Sequence, residues 1–184
     1  MRLFAKLRSM VGGGGKTASA PAGRGILVFR ETGEVIRAEA ALKREGFAVR
    51  VKAPPPSLRT GCDLVIEFPL VHSPAVLAVL TEQRLAPLQY LPVSGQLLEP
   101  VSVFQHKEFD GYHMVRAANM KITVDTRTRR IVNVSGGGCP DVPYLASLLV
   151  GKTLDEARPP LEAGQTLCGY ALQLAFDEMK RHVG

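Results

Sequence analysis

The residues best able to do chemistry in this chain are its three cysteines, Cys62, Cys139 and Cys168. A thiolate is both a nucleophile and a soft metal ligand, and a nearby cation or helix N-terminus favours it over the thiol. Cys139 closes the run Ser135-Gly136-Gly137-Gly138-Cys139-Pro140-Asp141. Three glycines allow the backbone to approach a ligand closely. A helix predicted to start at Pro140 turns unsatisfied N–H groups and a positive dipole end toward the sulfur. Asp141, in the first turn, is placed to act as a ligand or proton acceptor. Cys62 follows the loop PPPSLRTG and leads into DLVIEF, with the cation of Arg59 just before it. The same position suits a small buried strand-edge cysteine. Cys168 falls near the start of the last predicted helix, on an apolar stripe, where a core cysteine and a functional thiol fit equally well. If Cys139 and Cys168 converge, two thiols at neighbouring helix starts suit a soft metal, an iron–sulfur cluster or a persulfide relay. His106 and His113 flank predicted strands, and either is a candidate third ligand, His113 first, against the commoner reading of a lone surface histidine.

Two sets of elements must position these thiols. Residues 25–93 read as β-α-β-β-α-β, the split βαβ, ferredoxin-like order. Ile26 to Phe29 is a short apolar strand. Thr32 opens a helix with Val35, Ala38, Ala41 and Leu42 on one face, and Gly46 stops it. Phe47, Val49 and Val51 alternate, as do Leu64, Ile66 and Phe68. Pro54-Pro55-Pro56 forces an extended connection. Ser73-Pro74 starts a second helix faced by Val76, Val79 and Leu80, and Leu88 to Leu91 is the last strand. Residues 94–184 form a second α+β module. Its strand candidates are Val101 to Phe104, Tyr112 to Ala117, Met120 to Val124 and Ile131 to Val134, with Asp125 to Arg130 a polar hairpin connection. Val142, Leu145, Ala146 and Leu149 give the first helical stripe. Thr153 to Glu156 is a capping box that opens a short helix, broken at Arg158-Pro159-Pro160. The last helix runs from about Thr166 to Arg181, with Cys168, Leu172, Ala175, Phe176 and Met179 on one side. The fold class is therefore α+β, in two tandem modules behind a basic tail and linker at residues 1–24.

Bulk properties narrow the function. Aromatics make up 6% of the chain and Trp is absent, so the cores are aliphatic. No apolar run is long enough to span a membrane, and Gly12 to Gly15 stand where a secretory signal would need its apolar stretch. Three cysteines without a CxxC pair suit neither a secreted disulfide framework nor a zinc ribbon, and point to the cytoplasm. The net charge of +6 divides into +8 over residues 1–60 and −2 over the rest. A basic front half suits nucleic acid, a membrane surface or an acidic partner protein, against the commoner reading of a solvated basic surface. Without aromatics interleaved among the Arg and Lys, it argues against nucleic acid. There is no acid/base constellation beyond the thiols, so a classical enzyme is not expected. GGGGKT at residues 12–17 lacks the leading glycine and strand of a phosphate loop.

The segments GILVFRET, KREGFAVRV, PPPSLR and TGCDLVIEF, from Gly25 to about Val93, resemble the small sulfur/selenium carrier-like domain family. The resemblance implies a carrier role, with Cys62 in the place of the family's cysteine after the loop. Residues 120–180 resemble the NifU/IscU type of iron–sulfur scaffold through a strand leading into GGGCPD, a helix, VGKTLDEA and a later cysteine. By that resemblance Cys139 and Cys168 are cluster ligands, with Gly136, Gly137, Gly138 and Asp141 around them. The scaffolds' first ligand cysteine has no counterpart in HMVRAAN, and Leu167 stands where a histidine often precedes the last cysteine. His113 or Cys62 would have to complete the set, or the site would hold a persulfide. The sequence thus predicts a sulfur-trafficking protein, a persulfide carrier or relay linked to iron–sulfur assembly. The alternatives are a cluster-binding scaffold, or an accessory subunit of a sulfur-metabolising redox complex. Its partners would be an acidic protein sulfur donor or acceptor.

Overall fold

The computed structural model describes residues 23–59, 64–95, 98–136, 139–164 and 166–183. The basic tail lies outside these residues, apart from its last two positions, as do Cys62, Gly137 and Gly138. The described chain is α+β, with two antiparallel four-stranded sheets and helices packed on them.

The first sheet contains β1 (Arg24–Val28), β2 (Arg50–Lys52), β3 (Val65–Pro69) and β4 (Gln89–Pro92), in the order β2-β3-β1-β4. Every neighbour is antiparallel, with Leu27 opposite Ile66 and Val51 opposite the same Ile66 on its other side. This is the split βαβ order expected from the sequence. Helices α1 (Thr32–Arg44) and α2 (Ser73–Glu82) cover one face. The apolar positions of α1 fall at helical spacing, and Val35, Ala38, Ala41 and Leu42 are all buried. Gly46 ends it with φ +81°, and Phe47 N–H donates back to Leu42 O at 3.0 Å, the C-terminal wrap that a left-handed glycine permits. The triple proline is extended only in part, since Pro56–Leu58 close a 3₁₀ turn.

The second sheet is a meander of β5 (Phe104–Phe109), β6 (Tyr112–Ala117), β7 (Met120–Asp125) and β8 (Ile131–Gly136). The expected first strand at Val101 to Phe104 is displaced. Val101 instead bridges to Ala53 of the first module, and pairing with β6 begins at Phe104. The edge strand FQHKEF is mostly exposed, so it carries no apolar alternation to announce it. Helix α3 (Val142–Leu149) packs on β8, and α5 (Leu167–His182) lies across β6 and β7. Between them comes α4 (Pro160–Ala163), one turn that the sequence reading took for a break. The capping box forms as expected, with Thr153 N–H on Glu156 Oε2 at 3.0 Å and Glu156 N–H on Thr153 Oγ1 at 3.3 Å. The short helix expected to open there does not form, because Pro159 and Pro160 remove the donors it needs next.

Each sheet has its own core, with Phe68, Leu27 and Leu80 in the first and Ile122, Met120, Leu172 and Phe176 in the second. The modules meet between α1 and α5. There Tyr170 OH donates to Glu39 Oε2 at 2.5 Å and Lys43 Nζ pairs with Glu39 Oε1 at 2.7 Å. A buried carboxylate requires such partners. Burial, and next the Glu39 charge, push the Tyr170 hydroxyl well above its usual range. No helix among the described residues is long and apolar enough to cross a membrane.

Candidate functional site

Cys139 and Cys168 converge and are bonded as a disulfide, with their Cα atoms 6.4 Å apart. Three local structures bring them together. The first is the strand-to-helix turn after β8, which carries Cys139 toward α3. The expected helix start at Pro140 moves inward to Val142, with Asp141 at the N-cap and Pro143 in the first turn. Gly136 is required at the end of β8. A Cβ there would overlap Met120 Sδ and lie 2.9 Å from its Cε, and Met120 is fully buried. The second is the start of α5, where Thr166 is the N-cap and its Oγ1 accepts from Gly169 N–H at 3.1 Å. Gly169 allows α5 to lie against the preceding turn, since a Cβ would stand 2.5 Å from the backbone oxygen of Gly164. The third is the β6–β7 hairpin. Ala118 takes φ +50°, a conformation that costs a non-glycine residue about 1 kcal/mol or more. It presents Asn119, whose Nδ2 lies 3.8 Å from Cys168 Sγ.

The two sulfurs differ in access. Cys168 is 3% exposed and belongs to the core, while Cys139 is half-buried and packs against that core from the turn. An open apolar cleft of about 310 Å³ lies beside the start of α5, lined by Gly33, Ile36, Leu161, Thr166, Leu167 and Tyr170. Both modules line it.

The other expected participants lie elsewhere. Arg59 ends the proline loop of the first module, with its Nε on Pro54 O at 3.4 Å. His113 is not beside the thiols. It stacks on His182 with ring centroids 4.1 Å apart, and His182 is fourteen residues along α5 from Cys168. At 1.5 Å per residue that is about 21 Å, too far for a shared ligand set. Nor is His113 on the surface, being 2% exposed. Burial, followed by the charges of His182 and His106, holds it below the ordinary histidine range. Sequence reasoning missed Asn119, whose only signal was a short polar hairpin. It also missed the meeting of His106 with His113. The Asp110-Gly111 turn pairs Glu108 with His113, which makes His106 a diagonal neighbour on the same face.

The site and fold define a two-part protein, a carrier-like domain followed by a second α+β domain that contains a cysteine pair. Residues 24–92 match the family described as Putative Se/S carrier protein-like. Residues 103–183 match the family described as Domain of unknown function (DUF8182), and no NifU/IscU scaffold family matches there. The features that carried the scaffold resemblance have local roles: the capping box closes a turn, and the two cysteines hold each other. The chain is 42% identical over 153 residues to Uncharacterized protein MJ0011 of Methanocaldococcus jannaschii, covering 82% of this chain and 77% of that protein. It belongs to the same family as that protein. No solved structure matches it.

Proposed function

We propose that the protein is a sulfur carrier that holds sulfane sulfur as a persulfide and releases it through the Cys139–Cys168 pair. The carrying observation is that two cysteines 29 residues apart in the second domain meet, in a chain whose first domain is Se/S carrier-like. The half-buried Cys139 is the accepting thiol, and the more buried Cys168 is the resolving one. A persulfide on Cys139 has two exits. An acceptor thiolate attacks the terminal sulfur, and Cys139 leaves as a thiolate. Alternatively, the Cys168 thiolate attacks Cys139 Sγ, the sulfur–sulfur bond breaks, and hydrosulfide leaves with the electron pair. In the second exit the sulfane sulfur is reduced by two electrons, and the two thiols are oxidised to the disulfide. A thiol or dithiol reductant then restores the pair. The +8 charge of residues 1–60 suits an acidic donor or acceptor.

The test is mass spectrometry of cysteine peptides after the reduced protein meets inorganic polysulfide. Wild type should release sulfide and end as the disulfide, and Cys168→Ser should retain one added sulfur on Cys139. Failure of Cys139 to gain sulfur in either protein defeats the relay. The converging thiols also suit a cluster scaffold, in which each chain supplies two of the four ligands and a second copy the rest. Equal iron and labile sulfide after anaerobic purification, lost in Cys139→Ala, would favour that reading.

A further inference from the structure

A second cluster of ligand-type side chains lies at the other end of α5. His106 of β5, His113 of β6 and His182 of α5 place one ring nitrogen each within 4.8 Å of one another. We infer that these three histidines form a binding site for a divalent first-row transition metal ion, zinc before the others. The inference rests on the direction of the nitrogens. His106 Nδ1 and His113 Nε2 face each other at 3.1 Å. Two nitrogens bound to one tetrahedral zinc at 2.0–2.1 Å stand about 3.3 Å apart, so the pair is already at the spacing an ion imposes.

The outward nitrogens face carboxylates. His106 Nε2 lies 3.3 Å from Glu178 Oε1, and His113 Nδ1 lies 3.6 Å from Glu108 Oε1. A carboxylate on the outer nitrogen keeps the proton there and turns the lone pair inward, which is the arrangement that supports metal-bound histidines. Arg181 Nη2 holds the other oxygen of Glu178 at 2.5 Å, which fixes that carboxylate in turn. His182 is exposed at the last turn of α5, stacked on His113, and offers a ring nitrogen within 4.8 Å of the other two. An all-imidazole donor set suits zinc, copper or nickel rather than magnesium or calcium. Three protein ligands leave the fourth zinc position open to water or a small anion. The buried His113 anchors the site from the core side, and the exposed His106 and His182 give the ion a way in.

Metal-free protein with Cys62→Ala, Cys139→Ala and Cys168→Ala, which removes the competing thiols, should bind zinc at one ion per chain in calorimetric titration. Cobalt substituted there should show absorption without a thiolate charge-transfer band. His182→Ala, at an exposed helix end, should weaken binding by about ten-fold or more and leave the melting curve in place. Glu178→Gln, which touches no metal, should weaken it by about ten-fold as a loss of outer support. Absence of one-to-one binding would overturn the inference. So would affinity unchanged in both His182→Ala and His106→Ala, since a proton shared between His106 and His113 would then account for the geometry.

Discussion

Reduction of the Cys139–Cys168 bond should cost the second domain about 3.5 kcal/mol. The bond joins residues 29 apart in sequence. Closing a loop of that size removes about 12 cal/mol/K from the unfolded chain, which is about 3.5 kcal/mol at 25 °C. The folded state offers little to offset this. The Cα separation of 6.4 Å is an ordinary one for a disulfide, and once reduced, Cys168 remains a small apolar residue in the core. Urea unfolding of oxidised and reduced protein, followed by circular dichroism, reads the difference. With a slope of roughly 1–3 kcal/mol per molar, the midpoint should fall by about 1.2–3.5 M on reduction. The Cys139→Ala, Cys168→Ala double variant should unfold near the reduced midpoint and ignore reductant. A midpoint that reduction leaves in place would refute the reasoning, because the unfolded chain would then be confined by something other than the bond.

Tyr170→Phe should destabilise the protein by about 1.5–3 kcal/mol, since it takes a hydrogen bond from the buried Glu39 carboxylate. The same tyrosine sets a pH dependence. Its folded pKa is raised above the ordinary value near 10. Its contribution is therefore fully present below pH 10 and lost as pH rises beyond, where the unfolded tyrosine ionises and the folded one resists. Melting of wild type and Tyr170→Phe from pH 8 to 11 should show the gap between them closing at the alkaline end. Gly136→Ala should cost about 1–3 kcal/mol by forcing the buried Met120 aside. It should also slow reoxidation of the thiol pair by displacing the turn that carries Cys139, as timed trapping of free thiols would show.

Much of the fold was legible because burial writes periodicity into sequence. In α5 the predicted stripe of Cys168, Leu172, Ala175, Phe176 and Met179 is buried throughout, and in α1 the stop at Gly46 is a true left-handed position. The edge strand β5 was misplaced because exposure leaves it no such pattern. Helix α4 was overlooked because prolines mark a helix start as readily as a break. The convergence of Cys139 and Cys168 was foreseen as a condition and not as a fact, since it depends on how α3 and α5 pack against one sheet. His113 was given the wrong neighbours for the same reason. Its strand position was legible, but the hairpin register that joins it to His106 and the helix length that delivers His182 are properties of the assembled domain.

Helix α5 ties these chemistries into one arrangement. It carries Cys168 at its start and His182 at its end, and its buried face between them packs on β6 and β7. The disulfide therefore fastens the start of α5 to the turn after β8, while the histidines fasten its end to the β5–β6 hairpin. Tyr170, two residues beyond Cys168, makes the buried hydrogen bond to Glu39 that joins the carrier-like domain to the second. The apolar cleft shared by the two domains opens at the same end of the helix. On the proposed relay, the thiol pair stands at the end of α5 nearest the domain junction, and the histidine cluster lies about 21 Å away along the helix.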